Sequence, residues 1–258
     1  MSRIIVITSG KGGVGKTTVS ANLGMALAKI GKQVALIDAD FGLRNLDLLL
    51  GLENRIVYTA VEVLARECRL EQALVKDKRQ PNLVLLPAAQ HRNKEAVTPD
   101  QMKLLVNALS QKYEYVIIDC PAGIEMGFKN ATAPAKEALI VTTPEISAVR
   151  DADRVVGLLE AQGVKKINLI VNRIRPAMVQ ANDMMSVQIG VIPDDERVIV
   201  STNRGEPLVL SDTPSLAATA FENIARRLQG ETVEFLELDS SSKNIFSRLR
   251  KMFWSKLV

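Results

Sequence analysis

The ten residues SGKGGVGKTT, Ser9 to Thr18, limit what this chain can fold into more than any other stretch. Gly10, Gly15, Lys16 and Thr17 satisfy the phosphate-loop pattern G-x-x-x-x-G-K-[ST]. The context fits. The apolar run RIIVIT precedes the loop, and a helical pattern from Lys16 to Lys29 comes after it and stops at Gly31. Glycines let the backbone fold tightly, so the N–H groups of Gly10, Lys11, Gly12, Gly13, Val14 and Gly15 can turn inward on a polyphosphate. The helix N-terminus adds its partial positive charge. In such a loop Lys16 reaches the β and γ phosphates, the Thr17 hydroxyl ligates Mg²⁺, and Thr18 with nearby amides holds the α-phosphate. A glycine-rich turn matching by chance would lack the flanking strand and helix.

The rest of the chain repeats that alternation. Arg3–Thr8, Gln33–Asp38, Leu83–Leu86, Tyr115–Asp119, Ala138–Thr142, Ile167–Asn172 and Ile189–Ile192 are apolar on both faces, as central parallel strands are. Helical patterns separate them. Thr98-Pro99-Asp100-Gln101 is a helix start, Arg150–Ala161 stops before Gly163, and Ser215–Leu228 stops before Gly230. The expectation is an α/β fold of the P-loop NTPase kind: one doubly wound, mostly parallel sheet flanked by helices. It spans residues 1–230. An acidic and then serine-rich joint covers 231–242, and an amphipathic helix covers 243–258.

Composition narrows the function. The chain of 258 residues contains no run of about eighteen apolar residues, so nothing in it spans a membrane as a helix. No basic segment with an apolar core precedes the first strand, and Cys68 and Cys120 are too far apart for a CxxC pair. A reduced cytoplasmic chain without a metal cage is expected. Net charge is +4, and residues 243–258 carry five basic and no acidic residues, so taking these from the total leaves the body near −1. A near-neutral body argues against a nucleic-acid partner.

Carboxylates complete the site. IDAD ends one strand with Asp38 and Asp40, and VIIDCPAG ends another with Asp119. Carboxylates at the carboxyl ends of parallel strands face the crevice where ligands bind. Asp119 comes after four apolar residues and is expected to hold Mg²⁺, Asp38 to support the metal shell, and Asp40 to orient the attacking water. A single such Asp could equally be a strand-end cap. Gly42 and Asn45 in FGLRNLD form a candidate first switch, and Gly123 in CPAG a candidate second. Asn172 and Arg173 end another strand. Asn172 either pairs with the edge of adenine or caps its strand, while Pro193, Asp194 and Asp195 on the next strand-end loop can pack beside the base. Cys120 is expected to be a buried small residue and no nucleophile.

SGKGGVGKTT, DADFGLRNLDLLLG, ALVKDKR, DCPAG, TTPEISAVRDADR and GVIPDD, in that order, resemble the MinD-type family of deviant Walker A ATPases over nearly the whole chain. The resemblance implies an ATP-driven, Mg²⁺-dependent monomer–dimer switch. The ATP-bound homodimer binds a membrane and recruits a MinC-like inhibitor of FtsZ assembly, and a MinE-like activator releases it. The resemblance also implies that Lys11 crosses the dimer interface to the partner's nucleotide. Glu145, Ser147 and Asp151 fall where the family has a helix start near the dimer and partner surface, although by composition they could simply cap that helix. Two relatives are alternatives. A ParA-like partitioning ATPase would need basic surface on its body, and an iron–sulfur carrier would need cysteines placed to bridge a cluster across a dimer.

On a helix, Ile245, Phe246, Leu249, Met252, Phe253 and Leu257 fall within an arc of about 140°. Arg248 and Lys251 face away, and Trp254 lies off the apolar face. Such a helix could dock on the body, but the serine joint, the lack of acidic residues and the aromatics favour one that lies on an anionic membrane surface, which the resemblance places at the cytoplasmic face of the inner membrane.

Overall fold

The computed structural model describes residues 2–89, 97–175 and 187–236. Among these residues eight strands form one sheet: β1 Arg3–Thr8, β2 Val34–Asp38, β3 Val75–Lys76, β4 Leu83–Leu86, β5 Tyr115–Asp119, β6 Glu137–Thr142, β7 Lys166–Ile174 and β8 Val187–Pro193. Their order is β3-β4-β2-β5-β1-β6-β7-β8, and every pairing is parallel except β3 with β4. The central strands are buried on both faces, which is why their sequences run apolar without alternation. Ile5 and Ile7 of β1 pack into one helical layer and Ile4 and Val6 into the other.

The first layer holds α1 (Lys16–Lys29), α2 (Leu46–Leu50), α8 (Glu196–Asn203) and α9 (Leu216–Leu228). Its core joins Leu23, Met25 and Leu27 of α1 to Phe221 and Ile224 of α9. The second layer holds α3 (Ala60–Leu64), α4 (Leu70–Ala73), α5 (Pro99–Ser110), α6 (Met126–Thr132) and α7 (Ile146–Ala161). The Thr98–Gln101 capping box starts α5, with Pro99 in its first turn, as the sequence predicts. Ser215 caps α9 by accepting from the Ala218 amide at 3.2 Å.

Three details differ from the sequence expectation. Strand β3 is an extra, antiparallel edge strand of two residues, too short to leave a pattern. α7 begins at Ile146 rather than Arg150, because its cap residue, Glu145, makes no side-chain capping bond and so carries no start signal. α2, α3, α4, α6 and α8 run four to eight residues, too short for a clear helical period. After α9, residues 231–236 lie against the body. Arg227 donates to the carbonyls of Ile189, Val233 and Glu234 at 2.8–3.1 Å, and its guanidinium lies 4.1 Å from the centroid of the Phe235 ring. The remainder of the expected joint and the whole of the expected tail helix, including Ile245, Phe246, Arg248, Leu249, Lys251, Met252, Phe253, Trp254 and Leu257, lie outside the described residues.

β1 has β5 on one side and β6 on the other, so the chain winds to opposite sides of β1 in its two halves. Loops leaving the carboxyl ends of β1, β2, β5, β6, β7 and β8 therefore emerge along one edge, beside the glycine loop.

Candidate nucleotide site at the carboxyl ends of the strands

The glycine loop takes the tight shape its composition allows. Gly13 and Gly15 have φ of 75° and 97°, in the left-handed region where a side chain is strained. Space demands glycine as well: a Cβ on Gly15 would collide with the Asn172 amide, and one on Gly10 with the backbone of Asp151 in α7. Asn172, at the end of β7, donates its amide to the Val14 carbonyl at 2.8 Å and accepts from the Arg173 N–H at 3.0 Å. In this conformation the Asn172 side chain buttresses the phosphate loop. Arg173 is exposed, with φ of 57°.

Lys16 is buried, and its Nζ donates to the Ser9 hydroxyl at 3.1 Å; that hydroxyl in turn donates to the Lys11 carbonyl at 2.7 Å. Thr17 and Thr18 come next on the first turn of α1, half-buried. Lys11 reaches outward over its own chain. Its Nζ lies 2.7 Å from a Glu145 oxygen and 3.4 Å from the Ser147 hydroxyl, at the start of α7. This cation holds the Glu145 carboxyl below the usual range.

Asp38 and Asp119 are register partners on β2 and β5, so two buried carboxylates sit side by side. Burial raises the proton affinity of both. For Asp38 the neighbouring Asp119 adds to the rise; for Asp119, hydrogen bonds from Ser20 and Thr17 and the charge of Lys16 work against it. Asp38 also organises the segment after β2, accepting backbone N–H groups of Asp40 at 2.9 Å and of Asn45 and Leu46 at 3.1 Å. The candidate first switch, with Gly42 and Asn45, is thus tied to the nucleotide edge, and α2 starts where Asp38 holds it. Asp40 sits beside the pair, half-buried. Gly123, with φ of 91°, opens the turn after β5. Cys120 is buried and its thiol is pushed up to about 12, so it is no nucleophile at neutral pH.

Pro193, Asp194 and Asp195 line a hollow of about 440 Å³ with Glu196, Arg197 and Leu216. Asp194 pairs with Arg175 at 2.6 Å. Asp195 caps α8, accepting from the Arg197 amide at 3.0 Å and from the Ser215 hydroxyl at 2.7 Å. Sequence reasoning missed Ser9, Ser20 and the buried Arg44–Asp47 pair at 2.8 Å, in which Arg44 has φ of 37°. Ser20 had one available signal: it lies one turn after Lys16, on the same helix face.

A tight glycine loop, a buried lysine and two adjacent buried carboxylates suit a nucleotide polyphosphate with a divalent cation. Among the described residues no three His, Cys, Asp or Glu side chains form a cage for a metal.

A family model described as an AAA domain matches residues 2–175. A putative septum site-determining protein MinD of Guillardia theta is 69% identical over 98% of this chain and 98% of its own length. The chain belongs to the MinD family. The MinC:MinD cell division complex of Aquifex aeolicus aligns at 47% identity and a TM-score of 0.84, covering 92% of this chain and 99% of that one. The Pyrococcus horikoshii septum site-determining MinD, solved with Mg-ADP, aligns at 33% identity and a TM-score of 0.80, over 95% and 99%. MinD membership and the observed sheet agree on a P-loop ATPase fold. Among the described residues no helix is long and apolar enough to cross a membrane.

Proposed function

We propose that this chain is an ATP-dependent, dimerising ATPase that positions the cell-division site. The observation that carries this reading is the pairing of Asp38 with Asp119 on adjacent strands, beside the glycine loop and the buried Lys16. Lys16 exchanges the Ser9 hydroxyl for β and γ phosphate oxygens, and the loop amides hold the remaining phosphates. Thr17 and Asp119, with Asp38 in support, would hold Mg²⁺, which would supply charge neutralisation for the phosphate oxygens and for the paired carboxylates. Asp40 accepts a hydrogen bond from the attacking water and orients it to the γ-phosphorus. Asn172, Arg173, Pro193, Asp194 and Asp195 surround the adenine.

Dimerisation completes the site. Lys11 leaves Glu145 and Ser147 and places its cation beside the partner's γ-phosphate. The cis contact is exposed and screened by solvent, so it does not oppose the exchange strongly. The freed start of α7, with Glu145, Ser147 and Asp151, and the γ-phosphate-ordered segments at Gly42, Asn45 and Gly123 form the surface that a MinC-like inhibitor and a MinE-like activator read. The protein works in the cytoplasm and, as a dimer, on the cytoplasmic face of an anionic membrane through residues 243–258.

Two substitutions test the chemistry. Lys16→Ala abolishes binding of a fluorescent ATP analogue. Asp40→Ala retains that binding while steady-state hydrolysis falls about 10²–10⁴-fold. Undiminished turnover in Asp40→Ala would remove Asp40 from the mechanism.

A further inference from the structure

Ser20 sits on the second turn of α1 with no exposure to solvent. Its hydroxyl lies 2.8 Å from Oδ1 of Asp119 and 3.0 Å from the Lys16 carbonyl. One hydroxyl proton serves one of these acceptors at a time. The Lys16 carbonyl already accepts the Ser20 amide in the helical ladder, so it has no unmet need. The carboxylate is charged, nearer and buried, and a charge-assisted bond is about twice as strong as a neutral one. Serine is otherwise a poor choice here: in a fully buried helix turn alanine has the better propensity and strands no polar atom.

We infer that Ser20 is a positioning residue for the metal site: by donating to Oδ1 it fixes the Asp119 carboxylate with its other oxygen turned toward the cation. This rests on the assignment of Asp119 to Mg²⁺. Two buried acids on neighbouring strands repel, so Asp119 needs donors to hold it; Thr17 and Ser20 both hydrogen-bond it, and since the Thr17 hydroxyl is assigned to the cation, Ser20 is the donor that stays when the metal is bound. Ser20 supplies the tether from the helix that also carries Lys16 and Thr17, so loop, metal ligand and Asp119 move as one rigid unit. Groups that hold a metal-binding side chain in place are typically worth 10–100-fold in metal affinity.

The full-length protein with a fluorescent ADP, titrated with Mg²⁺, tests this. Ser20→Ala raises the half-saturating Mg²⁺ concentration about 10-fold and leaves nucleotide affinity in EDTA unchanged. Ser20→Thr, which keeps the hydroxyl, restores the wild-type midpoint. Combined with Asp119→Asn, Ser20→Ala adds no further shift, whereas a residue acting only through packing would shift the midpoint equally in both backgrounds. If Asp119→Asn alone leaves the midpoint unmoved, the assignment of Asp119 to the metal is wrong. If Asp119→Asn moves it and a folded Ser20→Ala does not, Asp119 keeps its role and the positioning inference is overturned.

Discussion

Asp195 shows how far one side chain's neighbours can redefine it. From sequence it belongs to a loop that could pack beside a base, and in the structure it lines a hollow with Pro193, Arg197 and Leu216. Its oxygens, however, accept from the Arg197 amide and guanidinium and from the Ser215 hydroxyl, so it joins the start of α8 to the start of α9. The Arg197 side chain, with Ser215 and the Arg197 amide, holds its carboxyl at about 2, below its ordinary 3.8. A depressed carboxyl stabilises the fold fully above pH 3.8, and that contribution is lost as pH falls through about 2. Asp195→Ala should therefore cost about 1 kcal/mol near neutral pH, the usual loss of a helix cap. The difference from wild type should shrink as pH falls from about 4 toward 2, which denaturant unfolding at several pH values would read. Equal ADP affinity in the variant would separate capping from base contact.

At the scale of elements, legibility tracked physical redundancy. A central parallel strand is buried on both faces over four or more residues, so each leaves an apolar run, and seven of the eight described strands were visible in the sequence. α1 was readable to the residue because glycines bracket it: Gly15 and Gly31 have φ of 97° and 88°. The start of α7 was hidden because nothing caps it by side chain. The glycine loop, Asp38, Asp40 and Asp119 were legible one at a time. That Asp38 and Asp119 are direct neighbours was not, because the β2–β5 pairing joins segments about eighty residues apart. Contacts such as Lys11 to Glu145 likewise depend on the end of β6 meeting the loop after β1. That contact makes α7 the element through which dimerisation would be sensed. Lys11→Ala should leave the fold and ATP binding intact, because an exposed pair contributes little. It should hold the protein monomeric with ATP and lower turnover by about 10³, the scale of a charge supplied in trans. Light scattering with ATP reads the first effect; a stable Lys11→Ala dimer would rule out the trans role.

At the scale of the molecule, the nucleotide edge and the tail are far apart in the chain's logic, and the body constrains how they connect. Arg227 binds residues 233–235 to the body beside α9. In the sequence, only seven residues, 236–242, separate that anchored point from KNIFSRLRKMFWSKLV. Under the proposed function, one such helix would bind an anionic surface weakly, at about 1 kcal/mol per basic residue near the surface plus its apolar face. Two tails carried by one dimer would act together, and effective concentration would raise avidity by about 10²–10⁴ without any new contact. Attachment would then depend on the nucleotide, because on the proposed function the nucleotide sets the dimer. Removing residues 243–258 should abolish co-sedimentation with anionic liposomes in ATP and leave hydrolysis in solution within about twofold, since none of the proposed nucleotide-site residues lies there. Wild-type protein in ADP should behave like the truncated one. Equal sedimentation in ATP and ADP would show that the tail binds independently of the switch, and sedimentation of the truncated protein would place the membrane contact on the ATPase body.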